Sequence, residues 1–81
     1  MSQGSPVVLV VDDNRAIANT YTAFLSDEYD VRTAYNGKEA LEELDETVDV
    51  VLLDRRMPEV SGDAVLEEIE SRQLDCRVVM L

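Results

Sequence analysis

The sequence contains little cysteine, little lysine, no histidine and few glycines. Cys76 is the only cysteine, so an internal disulfide is excluded and a reducing cytosol is the expected compartment. With three glycines, Gly4, Gly37 and Gly62, the chain has no glycine-rich phosphate loop, which argues against nucleotide binding. The early apolar run from Val7 to Val11 is too short for a signal segment or a membrane span.

Basic residues are scarce as well. Seven Lys and Arg stand against 18 Asp and Glu, which gives 81 residues a net charge of −11. Such a charge repels phosphate backbones and anionic lipid surfaces, so neither nucleic acid nor membrane is an expected partner of this segment. Lys38 is the only lysine. The acidic excess fits both a protein adapted to a salt-rich cytoplasm and an ordinary acidic bacterial or archaeal domain, because salt screens self-repulsion.

Short apolar runs alternate with helical patterns along the chain. The runs at 7–11, 48–53 and 77–81 are typical of strands buried on both faces, and the more polar 29–35 suits an edge strand. The predicted helices present apolar faces, which comprise Ile17, Tyr21, Phe24 and Leu25, then Ala40, Leu41 and Leu44, then Val65, Leu66 and Ile69. The order β-α-β-α-β-α-β predicts an α/β fold with a doubly wound parallel sheet.

Two predicted helices begin with recognisable caps. Asp13 or Asn14 can cap the first helix, and Asn36 followed by Glu39 three residues later resembles a capping box for the second. Residues 1–6 form a polar lead-in, and the folded domain is expected over 7–81.

Carboxylates end two of the buried strands. Asp12 and Asp13 follow the first strand, and Asp54 follows the third. Strands one and three are neighbours in a sheet of order 2-1-3, so these groups should meet beyond the carboxyl ends of the strands. Crowded carboxylates repel one another, and a divalent cation relieves the conflict. An all-oxygen ligand set favours Mg²⁺, and a carboxylate beside it is a competent phosphoryl acceptor. Each Asp taken alone could instead be only a helix cap.

The stretches VVLVVDDN and VVLLDRRMPEVSG, followed by Leu66 and Ile69, resemble the receiver domain of two-component response regulators. The resemblance implies the flavodoxin-like receiver topology and a phosphorelay function in the cytoplasm. It implies that Asp54 accepts a phosphoryl group from a sensor histidine kinase. Asp13 would then be a direct Mg²⁺ ligand, Asp12 a ligand through water, and the backbone carbonyl of Arg56 a third ligand.

The same resemblance assigns a loop-shaping role to Met57, Pro58 and Gly62. Receiver domains are not enzymes in the usual sense, although they promote their own phosphorylation and dephosphorylation. Arg55 and Arg56 can be read as two solvated arginines. Alternatively, the Arg56 side chain lies beside the phosphoryl group and changes how fast water removes it.

The chain departs from the receiver pattern after its fourth strand. The family continues with a Thr or Ser at the end of the fourth strand, a helix, a fifth strand ending in Lys and a last helix, about 40 further residues. Lys38 cannot replace that lysine, because it opens the second helix. We therefore expect an incomplete domain whose fourth strand is an apolar edge, open to dimerisation or strand swapping.

Two other functions remain open on the residues alone. A truncated receiver or pseudo-receiver would act as an interaction scaffold without phosphoryl switching. A Mg²⁺-dependent phosphohydrolase would need a second aspartate two positions after Asp12, where Asn14 stands.

Overall fold

The computed structural model describes residues 5–54 and 62–81, and within them the strands and helices alternate as the sequence predicts. The strands are β1 (Val7–Val11), β2 (Asp30–Ala34), β3 (Val50–Leu53) and β4 (Arg77–Met80). The helices are α1 (Arg15–Leu25), α2 (Gly37–Glu43) and α3 (Gly62–Ser71).

The four strands form one parallel sheet of order β2-β1-β3-β4. From β1 the chain first moves outward to β2 and then returns to the other side for β3, which is the doubly wound arrangement. The prediction of burial on both faces is confirmed for β1, where Leu9 and Val10 are fully buried. In β3 the face that carries Leu53 is buried, whereas Val50 and Leu52 on the other face are only partly buried.

The helices cover the two faces of the sheet unequally. On one face, α2 and α3 pack over a cluster that includes Leu9, Val11, Val51, Leu53 and Val65. On the other face the cluster is smaller, and its buried members are Val8, Val10 and Ala18 from α1. The core is therefore divided by the central strands, with its larger part beneath α2 and α3.

The buried face of α1 differs from the prediction. Ile17 is 44% exposed and Phe24 is 80% exposed, whereas Ala18 is fully buried. Tyr21 and Leu25 pack with Ala18 at spacings of three and four residues. The small side chain of Ala18 lets the helix approach the sheet closely, and this rotates the two larger side chains toward the solvent. The predicted apolar face of α1 is thus correct for Tyr21 and Leu25 and wrong for Ile17 and Phe24.

Both predicted helix caps are present. Asn14 caps α1 by accepting a hydrogen bond from the Ile17 amide at 3.2 Å. Asn36 caps α2 by accepting one from the Glu39 amide at 2.8 Å. Glu39 reaches back to the amide of Tyr35 at 2.8 Å, one residue earlier than in the usual capping box.

Strand boundaries differ slightly from the predicted ones. β3 begins at Val50 rather than at Val48, and just before it the Asp49 carboxylate accepts a hydrogen bond from the Val7 amide at 2.8 Å. β2 covers 30–34 and β4 covers 77–80. Both strands lie at the edges of the sheet formed by the described residues, as predicted for β2. The prediction that the strand at 77–81 is buried on both faces is wrong, because the residues of this edge strand alternate between exposed and partly buried. Over that part of the chain, no helix has the length and apolarity needed to cross a membrane.

Candidate phosphoacceptor and metal site

The ends of β1 and β3 bring three carboxylates together. Val11 and Leu53 are register partners, so Asp12 and Asp54, one residue further on, lie at the same edge of the sheet. The Asp54 amide donates to the Val11 carbonyl at 2.9 Å, and the Asp12 amide donates to the Ala34 carbonyl at 3.1 Å. These bonds continue the strand ladders beyond the regular strands. The sheet therefore fixes the backbone from which the carboxylates project.

Asp12, Asp13 and Asp54 each offer an oxygen atom, and these atoms lie within 4.8 Å of one another. The predicted meeting of the three residues is thus observed. Their exposure differs, since Asp12 is 6% exposed, Asp54 is half-buried and Asp13 is exposed. The cluster runs from the end of the buried strand to the solvent, as a site open to a ligand requires.

The local turn holds Asp12 in place. The Asn14 amide donates to Asp12 Oδ1 at 2.9 Å, which closes an Asx turn just before α1 begins. The residues alone predicted a cap at Asn14 but not this second use of its amide. An Asp followed two residues later by a helix start is the signal that could have revealed it.

The surroundings of Asp12 disfavour the ionised form of its carboxyl group. Burial is the main cause that raises the pKa of Asp12, and the nearby carboxylates of Asp54 and Asp13 raise it further. The hydrogen bond from the Asn14 amide opposes this shift. Three oxygen donors with such concentrated negative charge form the kind of set that hard divalent cations bind. The residues therefore fit Mg²⁺ on chemical grounds.

The other predicted site residues are placed less fully. Gly62 is the first residue of α3. Arg55, Arg56, Met57 and Pro58 lie outside the described residues, so their predicted roles, including the carbonyl ligand at Arg56, stay predictions.

A feature missed by the sequence analysis lies on the β2 side of the cluster. The Arg15 guanidinium carbon lies 4.2 Å from the centroid of the Tyr35 ring. Tyr35 in turn donates from its hydroxyl to Asn19 Oδ1 at 2.7 Å. Arg15 and Asn19 are one turn apart on α1, but Tyr35 follows β2, 16 residues beyond Asn19, so no local pattern indicated its contact with either residue.

Comparison with known proteins identifies the family. The response regulator receiver domain model matches residues 8–81. A provisionally named transcriptional regulator of Haloferax volcanii is 63% identical over 76 residues, which cover 93% of this chain and 13% of that protein. The response regulator SaeR of Staphylococcus epidermidis is 39% identical over 75 residues, covering 91% of this chain and 33% of SaeR.

The solved structures agree with this result. The chemotaxis protein CheY4 of Vibrio cholerae superposes with a TM-score of 0.88 at 28% identity, over 95% of this chain and 68% of that one. The chain spans only about an eighth to a third of the length of the two curated relatives. Family model, relatives and fold coincide: the chain belongs to the receiver domains of two-component response regulators.

Proposed function

We propose that Asp54 accepts a phosphoryl group from the phosphohistidine of a sensor histidine kinase, in a Mg²⁺-dependent reaction that switches an output partner. The observation that supports this most directly is the convergence of Asp12, Asp13 and Asp54 within 4.8 Å at the carboxyl edge of the sheet. An aspartate that only capped a helix would not require further carboxylates from the end of a different strand.

The chemistry follows from the carboxylates. A carboxylate oxygen of Asp54 bonds to phosphorus while the bond from phosphorus to the donor nitrogen breaks, and the imidazole leaves with the electron pair. Asp12 and Asp13 are the residues that would hold the cation together with Asp54, with Asp13 as the direct ligand and Asp12 acting through water. When bound, Mg²⁺ offsets the negative charge of the transferring group. The backbone carbonyl of Arg56 completes the proposed ligand set.

Asp54 is a reactant here, so the chain is proposed to be a switch and not an enzyme in the usual sense. Its place would be the cytoplasm, where the kinase and the output partner meet it. We also propose dimerisation or strand swapping through β4, an edge strand of the sheet formed by the described residues.

Phosphorylation with acetyl phosphate tests the proposal. With Mg²⁺ present, intact mass should show the gain of one phosphoryl group, and chelation of Mg²⁺ should prevent it. Asp54→Asn should remain unmodified. Asp75→Asn is the matched control, because Asp75 is an exposed aspartate just before the amino end of β4 and far along the strands from the cluster.

Intact mass, together with an amide spectrum, also distinguishes the proposed phosphoacceptor from an interaction scaffold. A scaffold would bind its partner without gaining a phosphoryl group, and its amide spectrum would not shift with beryllofluoride and Mg²⁺. Phosphorylation of Asp54→Asn to the wild-type extent would contradict the proposed acceptor.

A further inference from the structure

Arg15 follows the acidic pair Asp12 and Asp13 along the chain, and its side chain is held against Tyr35. It is the first residue of α1, and its guanidinium carbon lies 4.2 Å from the centroid of the Tyr35 ring. The Tyr35 hydroxyl donates to Asn19 Oδ1 at 2.7 Å, which anchors the ring to the same helix one turn further on. A guanidinium stacked by its face keeps N–H donors along its edge, where an anion can accept them.

Backbone contacts attach this pair to the edge of the sheet that carries the carboxylates. Tyr35 directly follows Ala34, whose carbonyl accepts from the Asp12 amide at 3.1 Å. Asn14, the residue before Arg15, donates its amide to Asp12 Oδ1 at 2.9 Å. Arg15 and Tyr35 therefore stand on the β2 side of the cluster, and Arg15 is exposed to solvent there.

The charge of Arg15 is not used in a salt bridge within the described residues. The two ion pairs found there join Arg32 to Asp45 at 3.1 Å and Arg72 to Glu68 at 2.9 Å. An arginine that stacks on a ring and forms no salt bridge within the described residues keeps its charge available. Any phosphoryl donor is an anion, and a chain of net charge −11 repels it.

We infer that Arg15, fixed by Tyr35, is a positioning residue that receives the anionic phosphoryl group of the donor at the rim of the site. The inference rests on the proposed function and adds to it a preference for dianionic phosphoryl donors. Arg15 takes no part in bond making or breaking, which belong to Asp54 and the donor. Because it acts through charge, its effect is larger for a dianionic donor than for a monoanionic one.

Two small donors of different charge test this in the full-length protein. At neutral pH acetyl phosphate is a dianion and phosphoramidate a monoanion. With saturating Mg²⁺, Arg15→Gln should slow phosphorylation by acetyl phosphate about fivefold and by phosphoramidate no more than about twofold. Arg15→Lys should recover part of the rate with acetyl phosphate. Tyr35→Leu should behave like Arg15→Gln, whereas Tyr35→Phe keeps the ring but loses the hydrogen bond to Asn19 and should slow the reaction less than Tyr35→Leu.

Arg77→Gln is the matched control, since it removes an equal charge at the amino end of β4, away from the carboxyl edge. Thermal unfolding of each variant shows that the comparison is made on folded protein. In about 1 M salt the effect of Arg15→Gln should shrink, because screening shortens the reach of the charge. Equal slowing with both donors, or none, would overturn the role of Arg15. Phosphorylation of Asp54→Asn would instead overturn the proposed function.

Discussion

At the scale of single residues, Asp12 is held in an arrangement that costs stability. The residue is 6% exposed, and its carboxylate lies near two other carboxylates. The hydrogen bond from the Asn14 amide offsets only part of this cost, because burial and neighbouring charge still raise the pKa of Asp12. A fold selected for stability alone would not place a charge here. A cation that bound the cluster would compensate it.

We expect Asp12→Asn to raise the free energy of unfolding without Mg²⁺ by about 1 kcal/mol. The amide keeps an oxygen for the Asn14 bond and removes the buried charge. The same variant should lose most of the stabilisation that Mg²⁺ gives the wild type. Chemical denaturation with and without Mg²⁺ measures both effects, and a variant less stable than wild type without Mg²⁺ would contradict the account.

The pH dependence of this difference has a definite sign. The pKa of Asp12 is raised above 3.8 in the folded protein, so ionisation of Asp12 destabilises the fold at higher pH. As pH falls through the raised pKa toward 3.8, wild-type Asp12 becomes protonated and its penalty disappears. The advantage of Asp12→Asn should therefore be largest near neutral pH and should shrink in acid.

At the scale of elements, α1 shows where a pattern of apolar residues misleads. Ile17 and Phe24 have the spacing of a buried face, but the fully buried residue is Ala18. Close approach of the helix to the sheet depends on a small side chain, and hydrophobicity alone does not express that requirement. Phe24 therefore does not belong to the buried face of α1, although its spacing predicts that it does.

A matched pair of substitutions on α1 tests this packing. Ala18→Val and Ala23→Val carry the same small cost in helix propensity, because both add a branched side chain to one helix. Ala18→Val should cost about 1 to 3 kcal/mol more, since Ala18 is fully buried and Ala23 is exposed. Denaturation midpoints measure the difference, and equal midpoints would mean that α1 packs by its other face.

Much of the framework could be predicted because local chemistry determines it. Asn36 and Glu39 indicate the start of α2, and the β-branched run at Val7–Val11 predicts a central strand. The convergence of Asp12 with Asp54 followed from the expected strand order. The contact between Arg15 and Tyr35 could not be predicted, because it depends on how far β2 extends beside α1.

At the scale of the whole molecule, the excess of acidic residues is the dominant feature. The net charge is −11, and the described ion pairs involve only Arg32 and Arg72. Most of the carboxylates are therefore not compensated by short contacts among the described residues. Mutual repulsion then weakens the folded state at low ionic strength.

We expect the unfolding midpoint to rise as NaCl increases from about 0.05 M to about 1 M, because the screening length falls over this range from well above 10 Å to about 3 Å. Thermal melts at each concentration measure it. A Mg²⁺ titration at constant ionic strength is the control that separates general screening from binding at the acidic cluster. A midpoint independent of NaCl would favour an ordinary acidic domain over a salt-adapted one.

The ladder bonds that run past the strands have a consequence for the exchange of amide hydrogens with solvent. The amides of Asp12 and Asp54 donate to carbonyls of the neighbouring strands, as interior strand amides do. The Asp12 hydrogen should exchange only when β2 separates from β1, and the Asp54 hydrogen only when β3 separates from β1, although the Asp54 side chain is partly exposed. Hydrogen exchange at the carboxyl edge of the sheet is therefore limited by strand separation. The exchange rates of the two amides report on the site without any added label.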